Sequence, residues 1–402
     1  MKLTDPDTNL FRSFWQAGYE CADHLNVHGQ RVDMLQITGH DQRVKEDYLL
    51  LSPFNIKTVR EGIQWSKVER KPGFYDWTEV INRIEVGQKL GIQQIWDICH
   101  FGFPDDMSPL HPRFVDRFAG VSKAFAQLWR SLTDDTLIFT PINEMSFMSW
   151  LGGEVKCTVP YARHIGFQVK YELARAAIAG IDAVRSVDPN ARILHTEPLI
   201  NIIPASDDPF DISEAARFHD DQYQAMDMLL GRICPEMGGK PEYLDVLGVN
   251  FYYDNQWVHF GGKVVWDIPK DPRWKPLSIL LEEIYRRYNR PIAISETSHL
   301  GTGRGDWILD IAQECVKAYQ RGVELLGVCL YPIIDRPNWD NLETYHNAGL
   351  WDVELKHGVT PRRVLCEEYA DDLLKAQKLI TDYHVEPETE PEREYAEKAA
   401  AS

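Results

Sequence analysis

The sequence lacks long apolar runs and paired cysteines. No stretch of about 20 consecutive apolar residues occurs, which is the length that a membrane-spanning helix needs, so we expect no membrane span. The seven cysteines are scattered through 402 residues without a Cys-x-x-Cys pair, which argues against a disulfide framework and against a structural zinc site. Residues 1–6 contain no apolar core of a signal peptide. Together these absences predict a cytoplasmic protein with reduced thiols.

Positive charge is also scarce. The chain has 43 Lys and Arg against 61 Asp and Glu, for a formal net charge of -18, which argues against a surface for nucleic acid or for an anionic membrane. No His-x-His sequence occurs, so a metal-dependent barrel hydrolase is a weak alternative. We therefore expect no metal and no cofactor, and nothing in the composition indicates an oligomeric state.

Short β-rich apolar runs alternate with segments of helical periodicity along the chain. One such segment places Leu173, Ala177, Ile181 and Val184 on a single face, and another is expected over residues 363–379. Eight parallel strands with crossover helices predict an α/β protein, a (β/α)8 TIM barrel in a single domain with loop insertions. A doubly wound open sheet is the alternative. The barrel is expected over residues 1–384, and residues 385–402, which are rich in Glu and Pro, are expected to form a disordered acidic tail. The candidate strands end near Glu20, Glu61, His100, Glu144, Thr196, Tyr252, Glu296 and Tyr331.

Two glutamates, Glu144 and Glu296, each end a short apolar run. A carboxylate at the mouth of a buried strand is costly to desolvate, so it usually has a function or a partner. In a barrel, the carboxyl ends of all strands surround one pocket. Two carboxyl groups about 5–5.5 Å apart are what the retaining cleavage of a glycosidic bond requires. The alternative for either glutamate alone is a solvated or salt-bridged surface residue.

Several short motifs, taken in order, resemble those of one family. The sequences PINE at 141–144, GVNFY at 248–252 and ISET at 294–297 are similar to motifs of the family 1 β-glycosidases, a TIM-barrel family of retaining glycosidases. The resemblance extends from about residue 11 to about residue 352, and the order and spacing of the motifs make it specific. It implies a retaining hydrolase of β-linked glycosides with a carbohydrate as its partner.

The resemblance also assigns roles to individual residues. Glu144 would be the acid/base and Glu296 the nucleophile. Arg60 and Tyr252 would hold the carboxylate of Glu296, and Asn143 would bind the 2-hydroxyl of the sugar. A neighbouring arginine favours an ionised carboxylate, whereas apolar surroundings raise the pKa of a carboxyl, so Glu296 should be ionised and Glu144 protonated.

The residues expected around the sugar depart from the family pattern. His100 would contact a sugar hydroxyl, and Trp339 and Trp150 would stack on the C–H faces of the sugar. Where the family has a Gln after strand one, a Trp on strand eight and a Glu before the last Trp, this sequence has Glu20, Tyr331 and Asn338. The catalytic pair is therefore kept while the sugar-recognising rim is altered.

Two other functions are compatible with the sequence. A transglycosidase or phosphorylase would use the same two glutamates and pass the sugar to another acceptor. A non-catalytic sugar-binding barrel would keep the pocket without turnover, although such a protein would be expected to have lost one of the glutamates.

Overall fold

Eight parallel strands close into a barrel in the computed structural model, which describes residues 10–356 and 359–385. Each strand pairs with the next one along the chain, and the last pairs with the first. The predicted (β/α)8 barrel is thus confirmed, and the open-sheet alternative is wrong. The strands are β1 Trp15–Gly18, β2 Thr58–Gly62, β3 Gln93–Cys99, β4 Ile138–Ile142, β5 Arg192–Pro198, β6 Val246–Asn250, β7 Ile292–Thr297 and β8 Leu325–Leu330.

Helices form a layer outside the barrel. In the helix at 166–185, the predicted apolar face of Leu173, Ala177, Ile181 and Val184 is fully buried. The helix predicted from residue 363 begins instead at Glu367, because the residues before it belong to the strand Val359–Leu365. The outer helices are α1 His40–Leu50, α2 Thr78–Leu90, α3 Phe114–Leu132, α4 Gly166–Arg185, α5 Gln224–Leu229, α6 Leu277–Tyr288, α7 Arg304–Gln320 and α8 Glu367–Val385.

The loops carry additional short elements, in keeping with the predicted insertions. None of the helices in the described part of the chain has the length and apolar character needed to cross a membrane. The predicted acidic tail, apart from Val385, lies outside the described residues. The added elements are the helices Met34–Thr38, Trp65–Val68, Met145–Gly153 and Pro209–Asp220, and the two-stranded sheets Glu69–Lys71 with Phe74–Tyr75, Asn201–Ile203 with Gln256–Val258, and Trp351–Lys356 with Val359–Leu365.

A buried charge cluster ties β2 to the outer layer. Successive side chains of a strand point to opposite faces, so Glu61 points outward while its neighbour Arg60 points into the barrel. His40 lies between two carboxylates, with its Nε2 2.9 Å from Oε1 of Glu61 and its Nδ1 2.9 Å from Oδ2 of Asp47. Arg363 completes the cluster by donating to both oxygens of Asp47 at 2.9 and 2.8 Å. The cluster therefore fixes the strand that carries Arg60.

Replacing His40 by leucine is expected to lower the free energy of unfolding by about 3 kcal/mol, because it leaves two buried carboxylates short of a partner. Burial lowers the pKa of His40, but Glu61 and Asp47 outweigh burial and raise it. This stabilisation is therefore full below the unfolded pKa of about 6.5 and is lost as the pH rises through the higher folded pKa. Urea unfolding at several pH values should show a deficit that shrinks with rising pH. A pH-independent deficit, or a similar deficit in the exposed-site control His28→Leu, would contradict this expectation.

Candidate active site

Glu144 and Glu296 lie at the same end of the barrel. Glu144 lies two residues after the end of β4 and Glu296 lies near the end of β7, and both are buried, with exposed fractions of 7% and 4%. Glu144 has a left-handed backbone (φ 49°), which is uncommon for a residue other than glycine. Its N–H donates to the carbonyl of Thr196 on β5 at 3.0 Å. The chain thus turns sharply at Glu144 before the helix Met145–Gly153 begins.

Both carboxylate oxygens of Glu296 accept strong hydrogen bonds. Nη1 of Arg60 donates to Oε1 at 2.7 Å, and the hydroxyl of Tyr252 donates to Oε2 at 2.7 Å. Asp97 orients the same guanidinium from the other side, through bonds of 3.0 and 2.7 Å. Burial and the charge of Glu296 raise the pKa of Tyr252 well above its usual range, so the phenol remains a donor. One oxygen of the Glu296 carboxylate is therefore held by a cation and the other by a neutral donor.

Glu144 is in the opposite electrostatic situation. Burial, followed by the negative charge of Glu296, raises the pKa of Glu144 to about 8, and the 2.9 Å hydrogen bond from Nδ2 of Asn250 opposes the shift only in part. The raised pKa of Glu144 agrees in direction with the expectation from the sequence, and Glu296 is the charged group that contributes most to it. Glu144 is thereby kept protonated at neutral pH.

Asn143 presents a free amide N–H2 beside this pair. Its Oδ1 accepts from Nη2 of Arg60 at 2.8 Å and from the hydroxyl of Thr196 at 2.7 Å. Its Nδ2 is buried and has no hydrogen-bond partner among the described residues. A buried donor without a partner is costly, so this N–H2 is suited to bind a hydroxyl group of a ligand.

His100 is committed to partners within the protein. Its Nδ1 lies 2.8 Å from Oδ2 of Asp97, and its Nε2 lies 3.1 Å from the hydroxyl of Tyr331. Oε1 of Glu20 accepts from the hydroxyl of Tyr331 at 3.4 Å, and Oε2 of Glu20 lies 3.2 Å from Nε of Arg336. Three of the predicted sugar-contacting residues are therefore brought together, but as one connected hydrogen-bond network. A sugar hydroxyl would have to compete with Tyr331 for the ring of His100.

The remaining rim residues differ in placement. The ring of Trp339 packs edge-on against His24 at 4.6 Å, and its buried indole N–H has no partner in the described part of the chain. Trp150 is 47% exposed and stacks on Phe147, which places it at the outer rim. The side-chain oxygen of Asn338 accepts two backbone N–H groups of its own loop, at 2.8 and 3.1 Å. Asn338 therefore stabilises a turn.

Sequence reasoning assigned no role to several residues of this site. Asp97 and Asn250 lie near predicted strand ends, and this position was the one indication of a role in the site. Their partners, Arg60 and Glu144, are distant in sequence, so the contacts themselves could not be predicted. Arg336 follows β8 without a distinctive motif. These residues supply the contacts that orient the functional groups.

One cluster has the composition of a metal site. Single ligand atoms of Cys21, Asp97 and His100 lie within 4.8 Å of one another. Both carboxylate oxygens of Asp97 accept from Arg60, and Oδ2 also lies 2.8 Å from Nδ1 of His100. A cation would have to displace a guanidinium to bind here, so the donor set does not suit one.

Comparisons with known proteins identify the fold. No protein-family model matches the sequence, and no curated protein matches it. Among solved structures, a family 1 β-glucosidase from Thermotoga maritima matches with a TM-score of 0.74 at 17% identity, over 93% of this chain and 98% of that chain. The β-glucosidase from the same organism in complex with deoxynojirimycin matches with a TM-score of 0.70 at 18% identity, over 91% and 98%. Its complex with glucoimidazole gives 0.69 at 18% identity, over 87% and 88%.

These likenesses bear out, at the level of the fold, the resemblance to family 1 that the sequence motifs indicated. Structural matches at this low identity show the architecture of the barrel alone. The chemistry has to be argued from the residues of the site.

Proposed function

We propose that the protein is a retaining glycoside hydrolase that acts on a β-linked glycoside, with Glu296 as the nucleophile and Glu144 as the acid/base. The observation that carries this proposal is the difference in surroundings between the two buried carboxyls. The carboxylate of Glu296 accepts hydrogen bonds from Arg60 and Tyr252, while burial and the negative charge of Glu296 keep Glu144 protonated. A double displacement needs one carboxyl in each state.

In the first step, a carboxylate oxygen of Glu296 attacks the anomeric carbon as the glycosidic C–O bond breaks. The proton of Glu144 passes to the departing oxygen, so the leaving group departs as a neutral alcohol. The sugar is left as an ester of Glu296. The unpartnered N–H2 of Asn143 donates to the 2-hydroxyl in this proposal, a contact that strengthens in the transition state.

In the second step, Glu144, now a carboxylate, takes a proton from water while the water oxygen attacks the anomeric carbon. The ester bond to Glu296 breaks, and the product keeps the configuration of the substrate. An alcohol or inorganic phosphate in place of water would give the transglycosidase or phosphorylase reaction. The same residues serve all three, so the acceptor has to be determined from products.

A carbohydrate ligand is supported by the sugar-mimic complexes of the structural neighbours and by the unpartnered donors of Asn143 and Trp339. All seven cysteines are free thiols, in keeping with a cytoplasmic location, which we also propose.

A panel of aryl β-glycosides tests the proposed function. We expect release of the phenol from at least one member, and ¹H NMR of the first sugar formed should show the β anomer. An initial α product would contradict a retaining mechanism. Sugar binding in isothermal titration without turnover on the whole panel would identify a non-catalytic barrel. A sugar phosphate formed only when phosphate is added would identify a phosphorylase.

A further inference from the structure

A third buried carboxyl, that of Glu197, lies against the start of the helix that follows Glu144. Glu197 belongs to β5 and is 1% exposed. Its Oε2 accepts the backbone N–H of Ser146 at 3.1 Å, and its Oε1 lies 3.4 Å from the same nitrogen. The backbone N–H of Met145 also donates to this carboxyl. Glu197 therefore caps the first turn of Met145–Gly153, where a negative charge is favoured.

Thr196, the preceding residue on β5, binds the same stretch of chain from the interior of the barrel. The carbonyl of Thr196 accepts the N–H of Glu144, and its hydroxyl donates to Asn143. Because side chains alternate along a strand, Thr196 faces the interior while Glu197 faces the helix. Two consecutive residues of β5 thus hold the backbone at residues 144, 145 and 146. This stretch includes the left-handed turn at Glu144, a conformation that persists only when its surroundings fix it.

We propose that Glu197 is a positioning residue for Glu144: by capping the turn that begins at Met145, its carboxyl fixes the backbone from which the acid/base side chain projects. The inference rests on the proposed function, since it concerns the same reaction. Nothing in the sequence motifs points to Glu197, which lies 53 residues after Glu144.

Charged neighbours couple Glu197 to the acid/base. Burial raises the pKa of Glu197 to about 7, while Lys170, held by the side chain of Gln224 at 2.9 Å, acts in the opposite direction. His195 lies 3.7 Å from Glu197, and burial lowers its pKa to about 3, so it is neutral. The charge of Glu197 contributes in turn to the raised pKa of Glu144, alongside Glu296 and against His100. Loss of this charge should therefore make Glu144 more acidic.

Two variants separate the cap from the charge. Glu197→Gln keeps an acceptor oxygen for the backbone N–H groups and removes the charge, whereas Glu197→Ala removes both. The chain offers a matched control in Glu314, which is also buried and accepts the N–H of Ser278 at 2.9 Å in the first turn of α6. Glu314→Ala removes a comparable helix cap far from Glu144 in the sequence and outside the site.

The rates are measured on two aryl glycosides, one with a good and one with a poor leaving group. For Glu197→Ala we expect kcat/KM to fall about 10- to 100-fold with the poor leaving group, which needs the acid, and much less with the good one. Glu197→Gln should keep most of the rate, and its basic pH limb should move to lower pH. Glu314→Ala should leave both rates and the pH profile unchanged. Equal losses on both substrates, the same losses in Glu314→Ala, or an unmoved basic limb would overturn the proposal.

A measurement without substrate keeps this test separate from the proposed function. In protein labelled with ¹³C at the glutamate carboxyls, the Glu144 resonance is assigned by its disappearance in Glu144→Gln and is titrated with pH. We expect its midpoint in Glu197→Gln to lie below that of the wild type, even if no glycoside is turned over. An unchanged midpoint would contradict the coupling, whereas a failed glycoside panel would count against the proposed hydrolase alone.

Discussion

Replacing Glu296 by alanine is expected to lower kcat roughly 10⁴- to 10⁶-fold, as the removal of a nucleophile that acts within a catalytic unit does. Without its carboxylate, no group remains to form the glycosyl ester. The fold should survive, because Arg60 keeps its two bonds to Asp97 and its bond to Asn143. Initial rates on the best aryl glycoside, together with the thermal unfolding midpoint, measure both effects.

Small anions provide a second test of the role of Glu296. The cavity left by the missing side chain should admit azide or formate, which attacks the anomeric carbon directly and gives a product of inverted configuration. Glu283→Ala, which changes an exposed glutamate on α6, is the control and should retain wild-type rates. Full activity in Glu296→Ala would remove Glu296 from the mechanism.

Replacing Glu144 by glutamine should give a loss that depends on the leaving group. General acid catalysis contributes typically 10²–10⁴-fold, so we expect a loss of about 10³-fold for a poor leaving group. An activated phenol departs without protonation, and its release in the first step should slow far less. A plot of rate against leaving-group acidity should therefore be steeper in the variant than in the wild type. Parallel plots would contradict the role of Glu144 as the acid.

The pH dependence of kcat/KM should also report the protonation state of Glu144. Because the pKa of Glu144 is raised to about 8, its protonated form prevails below that pH and is lost as the pH rises through it. The wild type should accordingly lose kcat/KM on the alkaline side with a limb near pH 8, reporting the free enzyme. In Glu144→Gln this limb should be absent. A wild-type profile that stays flat to pH 10 would contradict the assignment.

The barrel was predictable from sequence because its signals are local. Each strand is a short apolar run, and each predicted end falls within two residues of the observed one, as at Thr196, where β5 continues to Pro198. The two glutamates stand at such ends, so the closure of the barrel was enough to bring them to the same side. The failure at residues 363–366 has a local cause as well, since a short apolar run such as 364–366 is compatible with either a helix or a strand.

The contacts that tune the site were not predictable in this way. The roles of Asn250 on Glu144 and of Asp97 on Arg60 depend on which side chains face each other across the barrel, and no local pattern records that. His100 was expected to face the sugar, but it is bonded to Tyr331, 231 residues later in the chain. Asn338, predicted to lie in the sugar site, accepts a backbone N–H of its own turn. These interactions depend on the tertiary structure.

Covalent trapping tests the central proposal most directly. A 2-deoxy-2-fluoro glycoside with an activated leaving group should form the ester quickly and release it slowly. We expect the intact mass to rise by one fluorosugar, and peptide sequencing by mass spectrometry to place the label on Glu296. A label on another residue, or the absence of any label with a substrate that is turned over, would show that Glu296 is not the nucleophile.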